Sequence, residues 1–219
     1  MARHDVLLDL HSFQGQGQPF AMVGPRNNSG TLEPFAHAVQ EESLAQRLGV
    51  RRFVDGWLST YAAGVEQRRS RIGPNATRQQ LLNMDARYGV GTTEYMRSVG
   101  GYALTLECGN HADPQAPEVA YRAIVNTLLH LGLVEGGPVA PVQETETLSL
   151  YEVIDKAHYD DSFARPWASF DKLRRGELIG KRHDGTPVHA PDDGYIVFPA
   201  ALAQSGQEWF YLAKGSNRL

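Results

Sequence analysis

Three side chains in this sequence have types and settings suited to chemistry: His11, Glu107 and Arg97. His11 closes the apolar run "DVLLDLHSF" (5–13), just ahead of a glycine-rich "QGQGQPF". A strand alternates its side chains, so Asp9 and His11 share one face while Leu8 and Leu10 share the other. A carboxylate beside an imidazole can fix its tautomer and orientation, as carboxylates do behind metal-bound histidines. The plain alternative is a strand-end histidine hydrogen-bonded to a neighbour. Glu107 stands at the end of "YALTLE". Partial desolvation there raises a carboxyl toward the general-base range, and a structural salt bridge is the competing role. Arg97 lies ten residues earlier, in "TTEYMRSVGGYALTLE". An arginine can clamp a carboxylate through paired hydrogen bonds, although most arginines are surface charges.

These residues need elements to hold them. "DVLLDL" and "YALTLECG" read as buried strands, and "RFVDGW" as a shorter one. "TLEPFAHAVQEESLAQRLG" (31–49) reads as a helix capped by Thr31 and stopped by Gly49, with Phe35, Val39, Ala45 and Leu48 along its apolar stripe. "APEVAYRAIVNTLLHLG" reads as a second helix, with Val119, Ala123, Ile124, Leu128 and Leu131 on its stripe. Periodicity is weak across 58–101. Strands separated by helical segments argue for an α/β fold with a parallel or mixed sheet. Catalytic groups in such sheets gather beyond the carboxyl ends of strands, where His11 and Glu107 stand.

The pattern changes at "VEGGPVAPVQETET". Residues 1–134 are expected to form the α/β domain, 135–147 a linker, and 148–219 a small all-β domain of short strands between Gly, Pro and Asp turns. "GELIGKRHDGTPVHAPDDGYIVFP" has the turns of a lipoyl-like carrier. A carrier needs a lysine at its hairpin tip, and none lies between Lys181 and Lys214. An accessory role at the mouth of an active site fits better, with His183 and His189 as turn or surface residues.

The totals narrow the class. A chain of 219 residues, 42% hydrophobic, can bury a core, and no apolar run approaches the ~20 residues of a membrane span. The net charge of −4 gives no electrostatic case for nucleic acid. The Arg clusters "RR" at 51–52 and "RRSR" at 68–71 read as solvated surface. Cys108 is the single cysteine, so no intrachain disulfide can form. A soluble, cytoplasmic protein is expected, of unassigned oligomeric state.

"LLDLHS", then "RSVGGYALTLECG", then a helix and a β domain resemble the succinylglutamate desuccinylase/aspartoacylase family. The resemblance covers most of 5–134 and implies a zinc-carboxypeptidase-like domain with a smaller β domain. It implies hydrolysis of the amide of a small acidic N-acyl amino acid by a zinc-bound water and a glutamate. His11 matches the family's third zinc ligand and Asp9 the acidic residue before it. Glu107 matches the water-activating glutamate, and Arg97 the arginine that holds the substrate carboxylate. Cys108, Gly109, Asn110 and His111 match the segment after the glutamate, where His111 either meets substrate or orders the loop. Tyr195 and Tyr211 are both candidates for the family's β-domain tyrosine.

The sequence departs from that pattern at one point. The family's first two zinc ligands come from a His-x-x-Glu motif, and no such motif occurs here. The following Asn-Arg substrate contact is absent too. The expectation is an N-terminally incomplete version of a zinc-dependent deacylase, with a sheet edge left uncovered. The alternative is a metal-free small-ligand-binding protein on the same fold.

Overall fold

A computed structural model describes residues 3–71 and 84–219. In chain order the strands are β1 (Val6–Phe13), β2 (Phe20–Met22), β3 (Arg52–Asp55), β4 (Tyr102–Asn110), β5 (Glu146–Asp155), β6 (Ser162–Phe163), β7 (Lys172–Leu173), β8 (Leu178–Lys181), β9 (Pro187–His189), β10 (Gly194–Val197) and β11 (Glu208–Gly215). The helices are α1 (Ala38–Ala45), α2 (Trp57–Arg71), α3 (Thr92–Ser98) and α4 (Ala116–His130), with a 3₁₀ turn at Ala86–Gly89.

Eight strands make one mixed sheet in the order β1-β4-β2-β3-β5-β11-β10-β7, and β6-β8-β9 make a small second sheet. The pairs β1–β4, β2–β3 and β3–β5 are parallel, while β2–β4 and β5–β11 are antiparallel. The α/β reading stands. The large sheet also crosses the expected 135–147 boundary, because β5 pairs with β3 on one side and β11 on the other. Glu146 and Thr147, grouped with the linker by composition, already belong to β5. Among the described residues β1 stands at the edge of the sheet.

Alternation in β1 and β4 divides core from site. Leu104, Leu106 and Cys108 pack with Leu8 against Leu44, Ala45 and Leu48 of the α1 region, and against Val119 and Ala123 of α4. Each fully buried leucine there stabilises the fold by roughly 1.5–3 kcal/mol. The opposite face of the same two strands carries Asp9, His11, Thr105 and Glu107.

The expected helix over 31–49 shrinks to eight residues. Asn28 and Phe35 exchange backbone hydrogen bonds of 2.8 and 3.0 Å, and the Asn28 amide donates to the carbonyls of Arg26 and Glu33. The loop therefore closes on itself, and Pro34 within it denies a helix the N–H it would need. Thr31 caps nothing, and Val39 is 69% exposed rather than on an apolar stripe. Ile124 of α4 likewise faces outward at 40% exposure. Two helices, α2 and α3, occupy the stretch of weak periodicity. Arg68, expected on a solvated surface, is buried and bidentate to Asp155 at 2.7 Å through both contacts, so it fastens α2 to β5.

Arg97 and Glu41 lie at the junction of these elements. Glu41 is fully buried, and its carboxylate accepts from the Gly24 N–H (2.5 Å), the Ala103 N–H (3.2 Å) and Arg97 Nε (2.8 Å). Arg97 donates further to the Ala103 carbonyl (2.7 Å) and to Glu33 (2.8 Å), with Glu94 at 3.5 Å. Gly24 has no room for a side chain, since a Cβ would collide with the guanidinium. Breaking a buried pair leaves an uncompensated charge, which costs about 3–5 kcal/mol, whereas replacing both partners with apolar groups can be near neutral. Arg97→Met should therefore lower the free energy of urea unfolding by that amount. The double variant R97M/E41L should lose clearly less than R97M, because one of the three stranded carboxylates is then gone.

Candidate active site

The parallel register sets His11 directly beside Glu107 and Asp9 beside Thr105. All four side chains line a cavity of about 1060 Å³. The His11 imidazole lies between two carboxylates, with Nε2 3.1 Å from Asp9 Oδ1 and Nδ1 3.8 Å from Glu107 Oε1. The second Asp9 oxygen accepts from the Thr92 hydroxyl at the start of α3. One carboxylate thus ties the imidazole to a helix end, as the Asp9–His11 alternation anticipated.

The Glu107 side chain is 8% exposed, and its Oε2 has no hydrogen-bond partner. Burial pushes this carboxyl up to about 7; His11 opposes the rise and Asp9 adds to it. Near neutral pH such a group is partly protonated, so it can accept a proton in one step and return it in another. The segment after it orders a loop. The Asn110 amide donates to the carbonyls of Gln14 (2.6 Å) and Gly15 (2.9 Å), and His111 Nδ1 lies 2.7 Å from the Ser12 hydroxyl. His111 is not among the residues that line the cavity.

Arg97 reaches the cavity wall, but its side chain is only 2% exposed and its N–H groups are taken by Glu41, Glu33 and the Ala103 carbonyl. It is not free to clamp a substrate carboxylate. Neither tyrosine candidate lines the cavity. Tyr195 donates to Glu146 at 3.0 Å, and Tyr211 is buried against Trp57 with ring centroids 5.2 Å apart. The aromatic wall comes instead from Trp57 and Tyr61 of α2 and Tyr88 of the 3₁₀ turn, with the Trp57 indole donating to the Gly89 carbonyl at 3.2 Å. Sequence reasoning missed all three. The one signal was the aromatic spacing i, i+4 of Trp57 and Tyr61, which suits one face of a helix. Glu33, on the loop before α1, was missed as well. Burial pushes its carboxyl up to about 7 despite the pull of Arg97.

The donor set does not fit a catalytic zinc, which takes three protein ligands and a water. Among the described residues no group of three or more His, Cys, Asp or Glu is placed to hold a metal ion. Residues 1–2 and 72–83 contain none of these four types. His11 is the single imidazole at the site, and both of its nitrogens face carboxylates.

No family model matches the sequence, and no curated protein matches it. The fold does match solved structures. One is a succinylglutamate desuccinylase/aspartoacylase from Rhodobacter sphaeroides: 17% identity, TM-score 0.63, covering 97% of this chain and 59% of that one. A product-bound ectoine utilization protein EutE (DoeB) from Ruegeria pomeroyi aligns at 16% identity and TM-score 0.60, over 96% of this chain and 58% of the other. A succinylglutamate desuccinylase from Vibrio parahaemolyticus aligns at 17% identity and TM-score 0.57, over 98% and 55%. The chain has the succinylglutamate desuccinylase/aspartoacylase fold and spans less than two thirds of the length of these structures. Among the described residues no helix is long and apolar enough to cross a membrane.

Two outcomes follow from this geometry. A carboxyl held above its ordinary value of about 4.5 favours the fold when protonated, so its contribution is present in acid and is lost as pH rises through about 7. Glu107→Gln should leave urea-unfolding stability nearly unchanged at pH 4 and raise it at pH 8, by at most about 3 kcal/mol. Equilibrium dialysis against zinc should leave far less than one zinc per chain by elemental analysis, and His11→Ala should not alter that content.

Proposed function

We propose that this cavity binds a small N-acyl amino acid and that Glu107 handles the proton in cleavage of its amide, as in a deacylase. The observation that carries the reading is Glu107 itself: a buried carboxyl at the cavity wall, poised near 7, with one oxygen unpartnered. Amide hydrolysis needs a group that removes a proton from attacking water and delivers one to the leaving amine. A carboxyl near 7 can do both, and positioned acid–base groups contribute about 10²–10⁴-fold. His11, held by Asp9, supports the ionised form of Glu107 that accepts the proton. The succinylglutamate desuccinylases among the structural neighbours support such a reaction class. The family's zinc would polarise the acyl carbonyl, but the described residues do not form its site.

A second reading is favoured by one observation. His11 is engaged by two carboxylates rather than offered to a metal, which suits a metal-free ligand-binding protein on the same fold. A panel of N-acetyl and N-succinyl amino acids, followed by amine release and by calorimetry, separates the two. Amine release that falls at least 100-fold in Glu107→Gln, with ligand binding retained, supports the deacylase. Saturable binding with no release in wild type supports the binding protein. Absence of both binding and release overturns the acyl-amino-acid assignment.

A further inference from the structure

The open edge of the large sheet has the features of half an interface. Among the described residues no strand pairs with the outer side of β1. Such an edge presents a row of free N–H and C=O groups to any strand laid beside it, and exposed edges are commonly guarded by lysine or proline. Residues 4–13 contain neither. β1 runs for eight residues, and from Val6 to His11 its register with β4 is unbroken.

The core beneath this edge is closed on one side and open on the other. On the α1 side, the Asn126 amide of α4 donates to the Arg47 carbonyl at 2.8 Å, and Arg122 packs at Gly49. The opposite flank of α4, with Ala120 and Ile124, therefore overhangs β1. Val6, Leu8 and Ala120 pack on the core but stay only partly buried, and Leu10 and Ile124 are 38% and 40% exposed. On the other face of the sheet, Tyr95 and Val99 share the side of α3 that Thr92 turns to Asp9, and both are exposed. Apolar groups on both faces of an open strand mark an interaction surface.

The sequence of β1 selects what can lie there. Two identical strands related by a twofold axis perpendicular to the sheet pair antiparallel, and the interface is self-complementary. A pairing centred between residues sets apolar side chains opposite polar ones, so the centre must fall on a residue. A centre on Asp9 opposes carboxylate to carboxylate, and a centre on Leu8 opposes Asp9 to Leu7. A centre on Leu10 opposes Leu10 to its own copy and Asp9 to His11 on both sides of the axis. Cross-strand pairs of that kind stabilise a sheet, whereas like charges destabilise it. The His11 and Asp9 side chains are 50% and 22% exposed, so both have surface to offer.

We infer that β1 is a dimer interface, and that the occupant of the open edge is a second copy of this chain. The two large sheets join edge to edge, antiparallel, about an axis through Leu10. The pairing also sets the two cavities side by side, because Asp9 and His11 line them.

Sedimentation velocity of the full chain at micromolar concentration should show a dimer. Leu10→Lys places like charges on either side of the axis and should return it to monomer. Leu10→Cys should form a disulfide-linked dimer under mild oxidation. Ser12→Cys should not, since in this register the two position-12 side chains stand about 14 Å apart along the strands. Wild-type protein is the control, its Cys108 being buried. A monomeric wild type overturns the inference and leaves the edge to a strand of different origin. A dimer that survives Leu10→Lys, or that cross-links through position 12 and not through position 10, overturns it as well. The cysteine pair decides by itself if Leu10→Lys fails to fold.

Discussion

The buried Arg97–Glu41 pair is the constraint on which the rest of the site depends. Glu41 comes from α1, Arg97 from α3, and the backbone groups they bind belong to Gly24 beyond β2 and Ala103 in β4. Four pieces of chain, two from each of two distant stretches, are therefore fixed by one set of charge-assisted hydrogen bonds, which are about twice as strong as neutral ones. The consequence passes directly to the cavity. With the Arg97 end of α3 anchored, its first residue, Thr92, meets Asp9, and Asp9 holds the imidazole that faces Glu107. The chemistry of one face of β1 and β4 thus follows from an ion pair at the far end of a seven-residue helix.

The same pair leaves acidic groups at the cavity wall without a cation of their own. One guanidinium serves Glu41 and Glu33 and lies within 3.5 Å of Glu94, so it cannot neutralise all three. Glu33 responds by holding its proton to about 7, and Glu107, without an arginine of its own, does the same. Two desolvated carboxyls in one cavity oppose folding above neutral pH. Such groups are a common mark of functional sites rather than of efficient cores.

What could be read from the sequence was what alternation and strand chemistry control. β1, β3 and β4 lie where the apolar runs place them, and Asp9 and His11 share one face because a pleat leaves no other choice. The meeting of His11 with Glu107 across a parallel register, 96 residues apart, is a tertiary fact. Arg97 shows the limit most clearly. Its spacing from Glu107 identified a residue that matters, but spacing does not say where five N–H groups will point. That depended on Glu41, a polar residue inside a modest helix that nothing marked for burial. Trp57, Tyr61 and Tyr88 were hidden for a related reason: the buried row of α2 is short, Leu58, Tyr61 and Val65, and is continued by Arg68, whose burial depends on Asp155. The expected domain boundary marked a real change of composition, but hydrogen bonding between β3 and β5 carries the sheet through it.

Fold likeness and site chemistry point in different directions in this protein. At 16–17% identity the solved structures share its sheet and its topology, and a shared fold supports many functions through the groups mounted on it. Donor set and wall charge are properties of side chains, and each departs from what the resemblance implied. The imidazole that should bind a metal is engaged by carboxylates, and the arginine that should bind a carboxylate is engaged by two glutamates and a backbone carbonyl. Both departures have one physical cause. Acidic residues outnumber the cations that face them at this end of the sheet, so every positive group is claimed from within the protein.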